Sequence, residues 1–245
     1  MIRGRADLHI HSDAGDGLSS VEQILSFATE VARLDVIAIT DHDEIRGALA
    51  ARDLASSSRY PCDVIVGTEI STRGGHLLAY DIDRVFRPYR PLDETIAAVH
   101  DAGGFVVVPH PLSWLTHSAG SRTLRRLVDA RSGHTRPDAI EAFNPSLSGR
   151  VRHRAARELN RTLLGLVETG GSDAHHVALV GSGYTSFEGA SAQDLRAAIR
   201  TGTVTWDGTW WTARDHARDL WRQQWRSMVR LPAQRVERAF TRAYR

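Results

Sequence analysis

The sequence contains no lysine: all 31 of its basic residues are arginine, set against 29 acidic residues for a net charge of +2. It has one cysteine, Cys62, which excludes a disulfide within the chain and fits a reducing compartment. Long apolar runs are also missing. No stretch of about 18 apolar residues occurs, so no membrane span is expected. The opening Met1-Ile2-Arg3-Gly4-Arg5 lacks the apolar segment of a secretory signal. Together these absences lead us to expect a cytoplasmic protein. Acidic residues are scarce only at one end. Residues 214–245 hold nine arginines against Asp215, Asp219 and Glu237, a net of +6, while the preceding 213 residues net −4. Any attraction to polyanions therefore belongs to the tail.

What is present reads as globular. A hydrophobic content of 42% and a charged content of 24% match an ordinary folded domain, and 245 residues suit a single α/β domain or two small ones. Short β-branched runs alternate with segments of helical period up to about residue 206. Strands are expected near 6–11, 35–40, 63–70, 76–80, 104–109, 138–144 and 162–169. Helices are expected near 19–33, 44–55, 92–102, 122–130, 149–160 and 191–201, the first capped by Ser19 or Ser20. Alternation of this kind points to a parallel sheet buried on both faces. Seven strands are too few for the usual eight-fold barrel, leaving an irregular seven-stranded barrel or an open sheet. Residues 113–136 read as a loop with a short helix. We expect a hydrolase-like domain over 1–207 and a basic helical extension over 208–245.

The chemistry is concentrated at the strand ends. Asp7-Leu8-His9-Ile10-His11-Ser12 places His9 and His11 on one face of a strand, with Asp7 behind them on that face. Two imidazoles converging from one strand end are half of a metal site. The pattern then recurs. One strand ends in Asp41-His42-Asp43, another runs into Gly67-Thr68-Glu69-Ile70, and His76 follows Gly74-Gly75. Two more end in Pro109-His110-Pro111 and Gly170-Gly171-Ser172-Asp173-Ala174-His175. In α/β barrels the reacting groups gather at this edge.

These motifs, in this order and over roughly residues 5–206, resemble the polymerase-and-histidinol-phosphatase (PHP) domain family. The resemblance implies a distorted (β/α)7 barrel with a C-terminal helical tail, two to three divalent metal ions (Mn, Zn or Fe) and hydrolysis of phosphate esters. Carried onto this chain, it implies that His9, His11, Glu69 and Asp173 bind a first metal. Asp16, His42 and His175 would bind a second, and Glu69 would bridge to a third completed by His76 and His110. Glu69, Asp173 and His42 become the candidate catalytic residues. Imidazole-plus-carboxylate sets suit these ions, and metals about 3.5–4 Å apart can share a hydroxide of near-neutral pKa that attacks phosphorus.

Other residues have two readings each. Asp7 and Asp41 orient ligand imidazoles or cap strand ends. Ser12 contacts phosphate or caps a turn. Asn144 lines the pocket or closes a turn. Arg122, Arg125 and Arg150 fork onto a phosphate or sit solvated on the surface. In the tail, Arg214, Arg218, Arg222, Arg226 and Arg230 recur every four residues beside Trp221 and Trp225. Such a helix docks on the barrel through its tryptophans or grips nucleic acid through its arginines. The expected function is hydrolysis of a small phosphorylated metabolite or nucleotide, with an exonuclease-like module on nucleic acid as the alternative.

Overall fold

The structure, a computed structural model, describes residues 2–57, 59–129 and 133–217. Most of the arginine ladder, together with Trp221 and Trp225, lies outside these residues. Among the described residues nine strands form a single sheet in the order β7-β6-β5-β4-β3-β2-β1-β8-β9. They are β1 (Arg3–Ile10), β2 (Val36–Ile39), β3 (Asp63–Thr72), β4 (Gly75–Tyr80), β5 (Phe105–Val108), β6 (Ala139–Phe143), β7 (Val167–Gly170), β8 (Gly183–Glu188) and β9 (Thr205–Gly208). The ends of the sheet curl together, and Thr185 Oγ1 of β8 exchanges hydrogen bonds of 2.9 Å with the backbone N and O of Gly170 in β7. The result is a nearly closed α/β barrel.

The helices are α1 (Val21–Glu30), α2 (Arg46–Ala55), α3 (Leu92–Asp101), α4 (Ser121–Asp129), α5 (Leu147–Arg150), α6 (His153–Leu159) and α7 (Ala192–Thr201). Ser20 caps α1 in a reciprocal box. Its hydroxyl accepts from Gln23 N at 3.3 Å, and its own N–H donates to Gln23 Oε1 at 3.0 Å. The first three helices cover the outside of the sheet, burying Ile24, Leu25, Ala48 and Ile96 against Ile37, Ile39 and Val106. A second apolar cluster, from Ala6, Leu8, Val36, Ala38, Ile65, Leu78 and Tyr80, fills the inner face, and α7 adds Leu195, Ala198 and Ile199 to it. The start of α7 is tied to the start of β3, with Ala192 N donating to Asp63 Oδ2 at 2.8 Å. This helix therefore lies across the end where the parallel strands begin, leaving the opposite end open.

Several expectations change. The sheet has nine strands where the sequence suggested seven, because β8 and β9 were not foreseen; both run antiparallel to their neighbours. β4 is also antiparallel, to β3 and to β5. Its hairpin turns on Arg73-Gly74 and on Gly75 at φ +127°, where a Cβ would fall 2.3 Å from Ala119 N. The expected strand 162–169 is shorter. Asn160–Leu164 is π-helical, and β7 begins only at Val167. The short helix expected within 113–136 is α4, and a 3-10 turn follows it at Gly133–Thr135. No helix among the described residues is long and apolar enough to cross a membrane.

Candidate metal centre

Every candidate ligand comes to the open end of the barrel. In β1 the pairing with β2 slips, with Asp7 opposite Ile37 but Ile10 opposite Ile39. One extra residue on β1 reverses the alternation. Asp7 therefore shares the helix-facing side with Ile10, while His9 and His11 turn inward. This corrects the expectation that Asp7 stands behind them on their face. The Asp7 carboxylate accepts from the backbone N–H groups of His9, Ser172 and Gly181 at 3.3, 2.9 and 2.7 Å. Asp7 is a strand cap and touches no imidazole. Asp41 is likewise bound to Ser12, whose N–H and hydroxyl donate to it at 2.6 and 2.5 Å. Burial pushes both carboxyls up, to about 6 each.

Glu69 lies at the middle of the cluster. Its Oε2 is 3.2 Å from His9 Nε2, 3.3 Å from His11 Nε2 and 3.5 Å from His42 Nδ1. Its Oε1 is 2.8 Å from His76 Nδ1 and 3.1 Å from His110 Nε2. The antiparallel hairpin explains why His76 arrives at the start of a strand. It pairs with Ser71, two residues beyond Glu69 on the same face. Asp173 Oδ1 stands 3.4 Å from His9 Nε2 and 3.5 Å from His11 Nε2. Asp16 reaches His11 Nδ1 and His175 Nε2 at 3.4 Å each, and His42 at 3.9 Å. The loop that carries Asp16 fits because Gly17 has no side chain, since a Cβ there would lie 2.2 Å from His11 O. All nine expected metal ligands thus converge. Their atoms form sets able to hold an ion: His9/His11/Asp173, His9/Glu69/His110, His11/Asp16/His175 and His11/His42/Glu69.

The donor set fits divalent cations. Both ring nitrogens of His11, Asp16 Oδ1, His76 Nδ1 and His175 Nε2 are buried and make no hydrogen bond. Buried polar atoms without partners are costly, and here they point at one another across gaps of ionic size. Without cations, imidazolium–carboxylate attraction takes over. Burial alone would depress His9, but Asp173, Glu141 and Glu69 push it well above the ordinary imidazole value. Burial would likewise raise Glu69, yet His42, His76 and His9 hold it well below the usual carboxylate range. The backbone is strained where ligands are presented, with φ of +30° at His110 and +57° at Asp173.

Glu141, which the sequence reading passed over, performs the orienting role expected of Asp7. Its Oε1 accepts from His9 Nδ1 at 2.9 Å, and its Oε2 accepts from His110 N and Asn144 Nδ2, both at 2.8 Å. Asn144 Nδ2 also reaches Asp173 Oδ2 at 3.3 Å, and Ser146 Oγ donates to the same oxygen at 3.1 Å. Asn144 is buried among these groups and positions Asp173. Ser12 is fully buried with its hydroxyl on Asp41, away from the opening. Arg122 is exposed at the start of α4 and does not line the cleft. The cleft over the cluster, about 100 Å³, is walled by His42, His76, His110, Ser146, Ser148 and His216 among others. His216 was given no role from sequence. It comes from the segment after β9, and burial beside Arg150 lowers its basicity.

Residues 7–172 match the family model for the PHP domain, and residues 152–204 match the one described as PHP-associated. The chain belongs to the PHP domain family. Among its relatives is an uncharacterized protein of Methanocaldococcus jannaschii, 29% identical over 151 residues, or 57% of this chain and 81% of that one. The 5'-3' exoribonuclease Rnm of Salmonella typhimurium is 44% identical over 66 residues, 27% of this chain but only 22% of the exoribonuclease. A two-domain protein from Bacteroides vulgatus, described as containing a predicted PHP-like metal-dependent phosphoesterase, superposes with a TM-score of 0.66 at 19% identity. That match covers 85% of this chain and 65% of the other. At that identity the likeness is one of fold.

Proposed function

We propose that this PHP-domain chain is a metal-dependent phosphoesterase that cleaves a small phosphorylated metabolite or a nucleotide. The observation that carries the reading is Glu69, whose two oxygens lie between five imidazoles beneath a polar cleft. His9, His11, Asp16, His42, Glu69, His76, His110, Asp173 and His175 would hold two to three ions of Mn, Zn or Fe. Such ions, when bound, supply Lewis acidity toward phosphoryl oxygens and acidify water. The chain's own groups do the positioning. Glu141 fixes the His9 ring through Nδ1, leaving Nε2 free to face the cluster. Asn144 and Ser146 hold one oxygen of Asp173, so the other points at His9 and His11. Ser118 Oγ, 2.8 Å from His110 Nδ1, fixes that ring in the same way. Ser148 on the cleft wall offers a hydroxyl to a phosphoryl group. The Salmonella relative is an exoribonuclease, which supports a phosphodiester among the bonds to be tested.

The test is a panel of phosphate monoesters, cyclic phosphates and dinucleotides offered to protein loaded in turn with Mn, Zn and Fe(II). Turnover of at least one class, lost on chelation and restored by metal, is expected. Protein that binds less than one metal equivalent after loading, and cleaves nothing, would end this reading.

A further inference from the structure

The segment that follows β9 returns to the metal cleft. Thr209 N donates to Ser182 O at 2.7 Å. Trp211, buried in the outer apolar cluster, donates from Nε1 to Ser182 Oγ at 2.8 Å. Ser182 belongs to the connection between β7 and β8 that also carries Asp173 and His175. A helical turn starts at once beyond these anchors. Thr212 and Asp215 cap each other, with Asp215 N donating to Thr212 Oγ1 at 3.3 Å and Thr212 N donating to Asp215 Oδ2 at 2.9 Å. His216 N then donates to Thr212 O at 3.1 Å. This turn sets the His216 ring beside Trp211, with centroids 5.6 Å apart, and on the wall of the cleft. A buried indole and a cap thus fix the position of one more imidazole at the site.

His216 differs from the nine candidate ligands. It belongs to none of the four donor sets close enough to hold an ion. It also stands beyond residue 204, where the family matches end, so it is no part of the ligand set that the family resemblance implies. Its Nε2 is buried and has no hydrogen-bond partner among the described residues. The unpartnered atoms of His11, Asp16, His76 and His175 face one another across the cluster. His216 has no such counterpart, and a buried nitrogen left unpaired is costly. An oxygen supplied by the occupant of the cleft would satisfy it. Burial, helped by the Arg150 charge, holds this imidazole below its ordinary value although Asp215 opposes the shift. A neutral ring carries one N–H donor and adds no charge to a cleft built for cations.

We propose that His216 is a substrate-contacting residue whose ring N–H donates a hydrogen bond to an oxygen of the phosphoryl group held in the metal cleft. The contact rests on the phosphoesterase reading and adds to it a residue from outside the barrel strands. Charge spreads over the phosphoryl oxygens as the ester is cleaved. A donor already fixed in place by Trp211 and the Thr212 cap meets that charge without reorganising.

The experiment uses the full chain loaded with Mn and freed of excess metal, with inorganic phosphate as the probe. His216→Phe keeps an aromatic ring beside Trp211 but has no donor, whereas His216→Gln keeps an N–H donor. Calorimetric titration should show phosphate binding weakened about tenfold or more in the Phe variant and close to wild type in the Gln variant. With any ester the wild type turns over, kcat of the Phe variant should fall about 100-fold. Metal content and melting temperature should stay near the wild-type values in both. His216→Ala takes the place of the Phe variant should that one fail to fold. Unchanged phosphate affinity in the Phe variant, or no phosphate binding by the wild type, overturns the contact. So does an equal loss in both variants, which would trace the effect to ring packing. Loss of a metal equivalent on substitution overturns it as well, by making His216 a ligand. A wild type that binds phosphate through His216 yet hydrolyses no ester would leave the contact standing and count against the phosphoesterase reading. Turnover and phosphate affinity both unchanged in the Phe variant would remove the contact and leave that reading intact.

Discussion

Glu69 is shared by more partners than any other group in the cluster, and its replacement tests the whole arrangement. Glu69→Ala removes the one anion that lies within 3.5 Å of His9, His11, His42, His76 and His110 together. His76→Ala removes one ring from one side. We expect Glu69→Ala to lose metal and turnover well beyond the roughly 10–100-fold typical of outer partners, and His76→Ala to lose less. Equal, mild losses in elemental analysis and ester turnover would contradict the sharing. Glu141→Gln tests the orienting contacts. The amide keeps the shape but brings a donor toward His9 Nδ1, His110 N or Asn144 Nδ2, each already placed to donate. The expected cost is about 10–100-fold in metal affinity, read by competition with a chelating dye, with the melting temperature lowered modestly. Most of the nine candidate ligands were legible as charged or titratable side chains at the end of an apolar run, whereas His76 stands at the start of β4 and Asp16 in a turn beyond β1. Glu141 was equally visible, a lone carboxylate inside Ala139–Phe143, but nothing in sequence ties it to His9, 132 residues away. Asp7 was misread for a local reason: a bulge is invisible to a period-two rule.

At the scale of elements, most helices were read to within a few residues, because caps and a 3.6-residue period are written locally. The helix expected over 149–160, however, is two, α5 and α6, broken where Arg152 takes φ +68°. The outer strands were not foreseen. β8 and β9 are short and carry Gly183, Tyr184, Thr205 and Asp207, and only the pairing of β8 with β1 and of β9 with β8 makes them part of the sheet. The direction of β4 was likewise set by a two-residue turn and not by its composition. One tie between elements gives a pH-dependent prediction away from the metals. His100 at the end of α3 contacts Asp138 Oδ2 at 2.9 Å and His134 O at 2.8 Å, while the same Asp138 oxygen accepts from Val106 N at 2.8 Å. The Asp138 hydrogen bond, outweighing partial burial, raises His100 above the ordinary 6.5. A raised imidazole binds its proton more tightly in the folded state. Its stabilisation is therefore complete below pH 6.5 and fades as pH rises through the folded value. His100→Gln should remove that slope from denaturation midpoints measured between pH 6 and 8. It should also delete an imidazole resonance titrating above 6.5. An unchanged slope in the variant would show that the tie contributes nothing.

For the molecule as a whole, the metal cluster and the apolar core compete for the same end of the barrel. Buried imidazoles and carboxylates replace what would otherwise be packed side chains, and several of their atoms satisfy no hydrogen bond. The inner apolar cluster and α7 fill the far end, so folding itself is supported away from the site. Metal binding should then act as a ligand-linked increment on a protein that folds without it. At a free metal concentration about 100 times the dissociation constant, the increment is roughly 2.7 kcal/mol. For a chain of this size that corresponds to about 5–11 °C in melting temperature, at roughly 2–4 °C per kcal/mol. Dialysis against chelator should lower the midpoint by that order, and adding Mn or Zn should restore it in a concentration-dependent way. Far-ultraviolet circular dichroism of the chelated protein at 20 °C should stay native-like, since the strands and helices do not depend on the cluster. Two other outcomes are distinguishable. Complete unfolding on chelation would mean that the ions act as a structural staple, whereas a midpoint indifferent to both chelator and metal would mean that the cluster binds no ion. The first would relocate the origin of stability from α7 and the inner core to the ligand sphere. The second would remove the physical basis for reading this barrel as a phosphoesterase.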